Sequence, residues 1–362
     1  MQNNHKNSSK SIVERNGVVT INDVAKHAET SIATVSRVLN NPAYKVSDDL
    51  RERVLNAVSE LNYSPNLAAR SLRSKRNNMV GVVIPSISNP FYQQTILGIE
   101  SVLDPLGYHI ILHNTEYDIQ KERRILRNLN DMFVSNVILS SVDPSSKLLQ
   151  SLSSQGMNFI FLDQNSDVNG SSYITFDAKR GAKIAVNYLI EQGHRDIAFA
   201  TSPLTRWTRI EIFKGYKEAL ASAGIPFQES LNYIGDDRNI KDMQNLELEL
   251  GRQLANRFYE EKCQATAVLC INDMLAIGFM SSITRFGMSI PEDVSIIGFD
   301  DIQLAEYATP PLTTIRYASY DTGRLAGMMH TESISEDKPF DLQMHVTPQL
   351  VIRDSVIDLY VE

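Results

Sequence analysis

Seven side chains with hydrogen-bonding or ring-stacking chemistry sit where short apolar runs of this sequence end. Phe91 and Tyr92 follow Val80–Ile84, and Asp163 follows Phe159–Leu162. Arg206 and Arg209 follow Ile197–Ala200, Asn272 follows Ala267–Leu269, and Asp300 follows Val294–Ile297. Carboxylates and amides bind hydroxyl groups in pairs, guanidinium groups donate in a fixed fork, and an aromatic face covers the apolar side of a sugar ring. Any one of them is equally at home as a helix cap or a solvated loop residue. Their recurrence at strand ends points to a binding site for a small polar molecule, with a sugar or sugar derivative as the expected partner.

The runs that precede these residues are continuous and β-rich, and amphipathic segments separate them. From Met79 the order is a strand ended by Pro85, a helix from about Phe91 to Leu106, and a strand at His109–His113. A helix across Gln120–Met132 and strands at Val137–Leu139 and Phe159–Leu162 follow. A second such set contains the strands Ile197–Ala200, Ala267–Leu269 and Val294–Ile297. This alternation predicts parallel sheets covered on both faces, in two similar lobes. Open parallel sheets bind ligands beyond the C-terminal ends of their strands, where the seven residues fall.

The N-terminal stretch is built differently. Residues 1–18 are polar and aperiodic, and read as a flexible arm. Thr20 and Asp23 form a capping-box pattern before Ile21, Val24, Ala25 and Ala28. Ser31 caps a second short helix, Ile32 to Leu39, whose inward residues are Val35, Val38 and Leu39. Ser47, with Asp48 and Asp49, opens a third with Leu50, Val54, Ala57, Val58 and Leu61 on one face. Three short helices over residues 19–63, within an N-terminal stretch (residues 1–78) that carries the positive surplus, read as a helix-turn-helix unit, or as a plain three-helix bundle with a polar exterior. On the second helix Ile32, Ala33, Thr34, Ser36, Arg37 and Asn40 face out, and Arg37 can reach a base edge. Residues 64–78 form a basic segment too short to be a stable helix alone. It reads either as a minor-groove element, with Leu72 wedged between base steps, or as a linker.

Charge is distributed in the same way. Of 362 residues, 35 are Lys or Arg and 43 Asp or Glu, a net charge of −8. Residues 1–78 hold 12 basic against 7 acidic residues, a net +5, and the remainder holds 23 against 36, a net −13. A basic head on an acidic body implies that only the head meets a polyanion, although a solvated basic tail has the same composition. No apolar run approaches the length of a membrane span, and the N-terminus lacks a secretory core, so a cytoplasmic location is expected. Cys263 and Cys270 fit neither a disulfide framework nor a metal knuckle. Nucleotide-cradling, zinc-hydrolase and nucleophile-elbow motifs are absent, so no enzyme, cofactor or metal is expected.

The run Thr34-Val35-Ser36-Arg37-Val38-Leu39-Asn40, with Tyr63-Ser64-Pro65-Asn66 and Ala69-Arg70-Ser71-Leu72, resembles the head of the LacI/GalR family of transcriptional regulators. The resemblance continues through Asn89-Pro90-Phe91-Tyr92, Phe161-Leu162-Asp163, Gly193-His194, Asn272-Asp273, Gly298-Phe299-Asp300-Asp301 and Pro311-Leu312-Thr313-Thr314-Ile315. It implies a small all-α helix-turn-helix head and an α/β sensor of periplasmic-binding-protein-like fold, with two lobes and parallel sheets. The DNA contacts it implies are Thr20, Ser31, Ile32, Ala33, Thr34, Ser36, Arg37, Asn40, Asn66, Ala69 and Leu72. The sensor, residues 79–362, also dimerises. Its lobes are expected at about 79–177 with 311–337 and 178–310 with 338–362, crossing near Asp177, Pro310 and Lys338. The implied function is a homodimeric repressor on a near-palindromic operator, gated by a sugar or sugar-derivative effector that alters the ordering of a hinge helix in residues 64–78. Alternatives are a corepressor-dependent regulator, or a sugar sensor whose head binds protein. Two departures stand out. Glu29-Thr30 replaces the family's Gly-Val in the turn, and Ile212 stands where the family carries an effector-anchoring Arg, a role left to Arg206 or Arg209.

Overall fold

Capping side chains set the three helices of the N-terminal unit. The computed structural model describes residues 19–40, 44–64, 78–238, 240–335 and 342–360. The chain divides into two units between Asn77 and Asn78; the arm and most of the segment read as a linker lie outside the described residues. Helix α1 (Ile21–His27) starts at Thr20, whose backbone N–H and hydroxyl both donate to Asp23 Oδ2, at 2.9 and 2.7 Å. These bonds hold the Asp23 carboxyl below its ordinary pKa. Helix α2 (Ile32–Asn40) starts at Ser31, whose Oγ accepts from the Thr34 N–H at 3.1 Å. Helix α3 (Asp48–Glu60) starts at Ser47, whose Oγ accepts from the Leu50 N–H at 3.3 Å. Val24, Ala25, Ala28, Val35, Val38, Val54 and Ala57 form the buried core, and Leu39, Leu50, Val58 and Leu61 pack around it.

Between α1 and α2 the backbone turns through Glu29 at φ +47°. The left-handed turn expected of glycine is therefore kept by a residue with a Cβ, at a cost of roughly 1–2 kcal/mol.

In the second unit each lobe has a six-stranded sheet. The first lobe contains β1 (Met79–Ile84), α4 (Pro90–Leu103), β2 (His109–Asn114), α5 (Ile119–Asp131), β3 (Asn136–Leu139), α6 (Lys147–Ser154), β4 (Asn158–Leu162) and β5 (Ser172–Phe176). The second contains α7 (Ala178–Glu191), β6 (Ile197–Thr201), α8 (Trp207–Ser222), β7 (Asn232–Ile234), α9 (Leu246–Glu260), β8 (Ala267–Cys270), α10 (Asp273–Ile283), β9 (Ser295–Asp300), α11 (Gln303–Tyr307) and β10 (Thr313–Arg316). The chain then returns to the first lobe for α12 (Ser319–Ser335) and β11 (Gln343–Val346), and ends in the second with β12 (Gln349–Val351). Strand orders are β11-β5-β4-β3-β1-β2 and β12-β10-β9-β8-β6-β7. All described pairings are parallel except β12 against β10.

Two of the three expected crossovers move. Residues 313–316 pair in register with β9, so the second crossover falls after Arg316 and not at Pro310. Residues 343–346 pair with β5, so the third follows Val346 and not Lys338. Helix α4 also stops at Leu103, short of Leu106, because Pro105 cannot continue the ladder and Asp104–Leu106 tighten into a 3-10 turn.

Helices pair across these sheets by close backbone approach. A Cβ on Gly98 of α4 would lie 2.0 Å from the Tyr320 carbonyl oxygen of α12, and one on Gly323 would lie 2.0 Å from that of Thr95. Gly98→Ala should therefore push α4 and α12 apart and destabilise the second unit by about 1–3 kcal/mol, read as a lower midpoint in urea. Conversely, Glu29→Gly should relieve the turn by up to about 1 kcal/mol. Slower amide exchange in α1 and α2 of the full chain would report it; unchanged exchange would contradict a strained turn.

Candidate effector cleft and nucleic-acid interface

Loops at the C-terminal ends of the strands converge between the two lobes. Asn89 caps α4, its Oδ1 accepting from the Phe91 N–H at 2.9 Å, and so places Phe91 and Tyr92 in the first turn. Asp163 follows β4 directly, at φ +63°. Arg206 is the N-cap residue of α8, and Arg209 lies one turn on. Asn272 caps α10 through its Oδ1, which accepts from Leu275 N at 2.8 Å. Asp300 ends β9 at φ +108°. All seven predicted residues line one open-sided cleft.

Bonds across the cleft join the lobes. Arg206 Nη1 donates to the Tyr92 hydroxyl at 3.1 Å, and Nη2 donates to Ser140 Oγ at 2.8 Å. The Ser140 and Tyr92 hydroxyls donate to Asp163 Oδ2 at 3.0 and 3.3 Å, and Arg206 Nη2 is 3.9 Å from that oxygen. Asp163 Oδ1 is buried with no partner. On the other side Glu247 of α9 accepts from Asn89 Nδ2 at 2.8 Å and from the Tyr117 hydroxyl at 3.0 Å.

Burial shapes the electrostatics. It raises the Asp163 carboxyl, against the opposing pull of Arg206, Ser140 and Tyr92. It raises Asp300 strongly, and the neighbouring Asp273, Glu247 and Asp163 add to this. Burial works against the Arg206 charge, but Tyr92, Asp163 and Tyr117 more than offset it and raise its pKa. Arg209 is lowered by burial and by Arg206.

Sequence reasoning missed Ser140, Tyr117, Phe176, Glu247 and Tyr317. Phe176 and Tyr317 stack at 4.1 Å between centroids, and Phe91 meets Phe176 edge-on at 5.8 Å, making an aromatic wall. Tyr317 follows β10 at the crossover expected at Pro310, so correct placement there would have signalled it; Phe176 ends β5, a strand the sequence reading did not include. Glu247 gave no sequence signal. Ile212 lines the cleft at the departure from the family pattern.

In the N-terminal unit Thr20, Ser31, Ile32, Ala33 and Arg37 are exposed, while Thr34 and Ser36 are partly buried. The Arg37 guanidinium is held by Tyr44, whose hydroxyl accepts from Nη1 at 3.1 Å and whose ring centroid is 5.5 Å away. The backbone of Asn40 ends α2; Asn66, Ala69 and Leu72 lie outside the described residues.

Residues 20–66 match the bacterial regulatory proteins of the lacI family, and residues 186–356 match the periplasmic binding protein-like domain. The HTH-type transcriptional repressor PurR of Photobacterium profundum is 32% identical over 343 residues, covering 94% of this chain and 100% of that protein. The ribose operon repressor of Halalkalibacterium halodurans is 34% identical over 340 residues, covering 93% and 97%. The chain belongs to the lacI family of bacterial regulatory proteins. The Lac repressor dimer bound to operator and the anti-inducer ONPF superposes on this regulator with a TM-score of 0.80 at 27% identity, covering 94% of this chain and 100% of that one. The regulator is thus a helix-turn-helix transcriptional regulator with a two-lobed effector-binding domain.

Beside the cleft, buried Asp273 anchors the end of β9. Its Oδ1 accepts from Thr314 Oγ1 at 2.5 Å, and its Oδ2 accepts from the Ile302 N–H at 2.9 Å. Burial pushes its carboxyl up to about 8 from 3.8. The native state therefore holds this proton more tightly than the unfolded chain. The linked stability is full below about pH 4 and is lost as pH rises through about 8. Asp273→Asn removes that titration, so the wild type should lose stability relative to the variant as pH rises from 4 to 8. A pH-independent difference in urea unfolding would contradict a shifted Asp273.

Proposed function

We propose that this regulator is a dimeric, operator-binding repressor whose DNA affinity is set by a small polyhydroxylated effector, a sugar or sugar derivative, held between the lobes. The observation that carries the reading is the convergence of carboxylates, an amide, arginines and an aromatic wall on one interlobe cleft. Phe91, Phe176 and Tyr317 offer ring faces. Among the described residues Asp163 Oδ1 is a buried acceptor without a partner, Asp300 lines the cleft, and Asn272 keeps its Nδ2 donors after capping α10 with its oxygen. Relatives described as a ribose operon repressor and as an operator-bound Lac repressor dimer support the same reading.

Gating follows from the cross-cleft bonds. An effector whose hydroxyls engage Asp163 and Tyr92 meets groups that already hold Arg206, and so changes the balance between lobe arrangements. It needs only its differential affinity for the two, typically about 1–3 kcal/mol. Two-fold symmetry of a dimer presents two heads to two half-sites of a near-palindrome. The exposed face of α2 reads the major groove, with Arg37 directed by Tyr44 toward a base edge.

The test is binding of the full-length protein to a duplex selected from a random pool, with and without a panel of sugars. Selection of a near-palindrome, and a change in its affinity with a sugar, support the reading; binding without sequence preference overturns it. Arg37→Ala should cost about 1–3 kcal/mol on the selected duplex and relax preference at one position. Equal losses on selected and random DNA would remove Arg37 from base readout.

A further inference from the structure

We propose that the effector of this regulator carries a carboxylate received by Arg209: the ligand is an acidic sugar and not its neutral counterpart. The inference rests on the interlobe cleft being the effector site. Arg209 is only 7% exposed and lines that cleft. Its Nη1 donates to the Pro203 carbonyl oxygen at 3.1 Å. Among the described residues no group accepts from its Nε or Nη2, and no carboxylate lies within the 4.0 Å of an ion pair. The Tyr117 ring, at 5.9 Å, covers one face of the guanidinium. The unused Nε–Nη2 edge presents two parallel N–H groups, the geometry that takes both oxygens of a carboxylate.

Arg206, three residues earlier, marks the contrast. Its Nη1 and Nη2 are bonded to Tyr92 and Ser140, with Asp163 beside them. The carboxylates of the cleft are committed elsewhere or discharged. Asp163 accepts from Ser140 and Tyr92, and Glu247 accepts from Asn89 and Tyr117. Asp300 is held toward its neutral form by burial and by neighbouring acids. A carboxyl in such a place can take up a proton, whereas a guanidinium cannot lose one. Glu247 and Tyr117 favour the Arg209 charge from a distance, but among the described residues no carboxylate pairs with its free edge, and a ligand carboxylate would. Any of these acids that stays charged disfavours a dianionic phosphate more than a singly charged carboxylate. The sugar hydroxyls of such a ligand would fall to Asp163 Oδ1, Asp300 and Asn272.

The experiment is calorimetric titration of the full-length protein with matched pairs: galactose and galacturonate, glucose with glucuronate and gluconate, and glucose with glucose 6-phosphate. At least one carboxylate sugar should bind about tenfold or more tightly than its neutral partner, and more tightly than the phosphate. Arg209→Gln should remove the advantage of the acid over its neutral partner, and Arg209→Lys should keep part of it. Neutral sugars binding as tightly as their acids, a preference for the phosphate, no binding by any acid, or an acid preference that survives Arg209→Gln would each overturn the proposal. If Phe91→Ala and Asn272→Ala leave binding of every sugar unchanged, the cleft itself is the wrong site, which separates that failure from failure of the carboxylate assignment.

Discussion

One guanidinium group ties the sensor together. Arg206 belongs to the second lobe, yet its hydrogen bonds go to Tyr92 and Ser140 of the first, with Asp163 behind them. A charge so enclosed is tolerable only when its donors are occupied, because desolvation otherwise outweighs the Coulomb attraction. The surrounding structure is arranged to occupy them. The helix cap at Asn89 aims Tyr92, the end of β3 presents Ser140, and the left-handed backbone at Asp163 turns its carboxylate inward. An effector entering this network exchanges one satisfied arrangement for another, so a modest difference in affinity can decide between them.

Neighbouring acids at the end of β9 show how position divides roles between like residues. Asp301 takes both available arginines, with Arg316 Nε and Arg353 Nη2 each 2.6 Å from its oxygens. Asp300 receives no hydrogen bond from the described residues and faces the cleft. The paired acid secures β9 to β10 and the C-terminal segment, and the unpaired one lines the cleft. Asp273 has a third role, a buried acid that fixes the backbone of Ile302 and sits where Gly298 leaves no room for a Cβ.

What the sequence revealed tracks how local each signal is. Capping at Thr20, Ser31 and Ser47 and the apolar stripes of α1 to α3 depend on neighbours a few residues away, and the helices begin where those residues indicate. The rule for parallel strand ends located seven cleft residues because it needs only strand positions. Glu247 escaped it: its partner Asn89 lies 158 residues away and meets it only when the lobes come together. The crossovers misled for a related reason. Pro310 and Lys338 resemble boundaries, but strand membership is fixed by pairing partners, and β10 and β11 are short segments with mixed polar content. Tyr317 was lost with the second of them, whereas Phe176 was lost because the strand it ends, β5, was not read from the sequence.

The turn at Glu29 and the side chain at Ile212 are both departures from the family pattern, and they differ in physical consequence. At Glu29 the backbone keeps a positive φ, so the geometry of the helix pair survives and only strain and a negative charge are added. At Ile212 a guanidinium is missing from the wall of the cleft, and geometry alone cannot replace its charge. The two arginines of the first turn of α8 bring positive charge back to the cleft, but in unequal states. Arg206 is consumed by contacts across the lobes, and Arg209 keeps a free bidentate edge. Of the two cations, only Arg206 spends its donors on joining the lobes, while Arg209 bonds within its own lobe, to the Pro203 carbonyl.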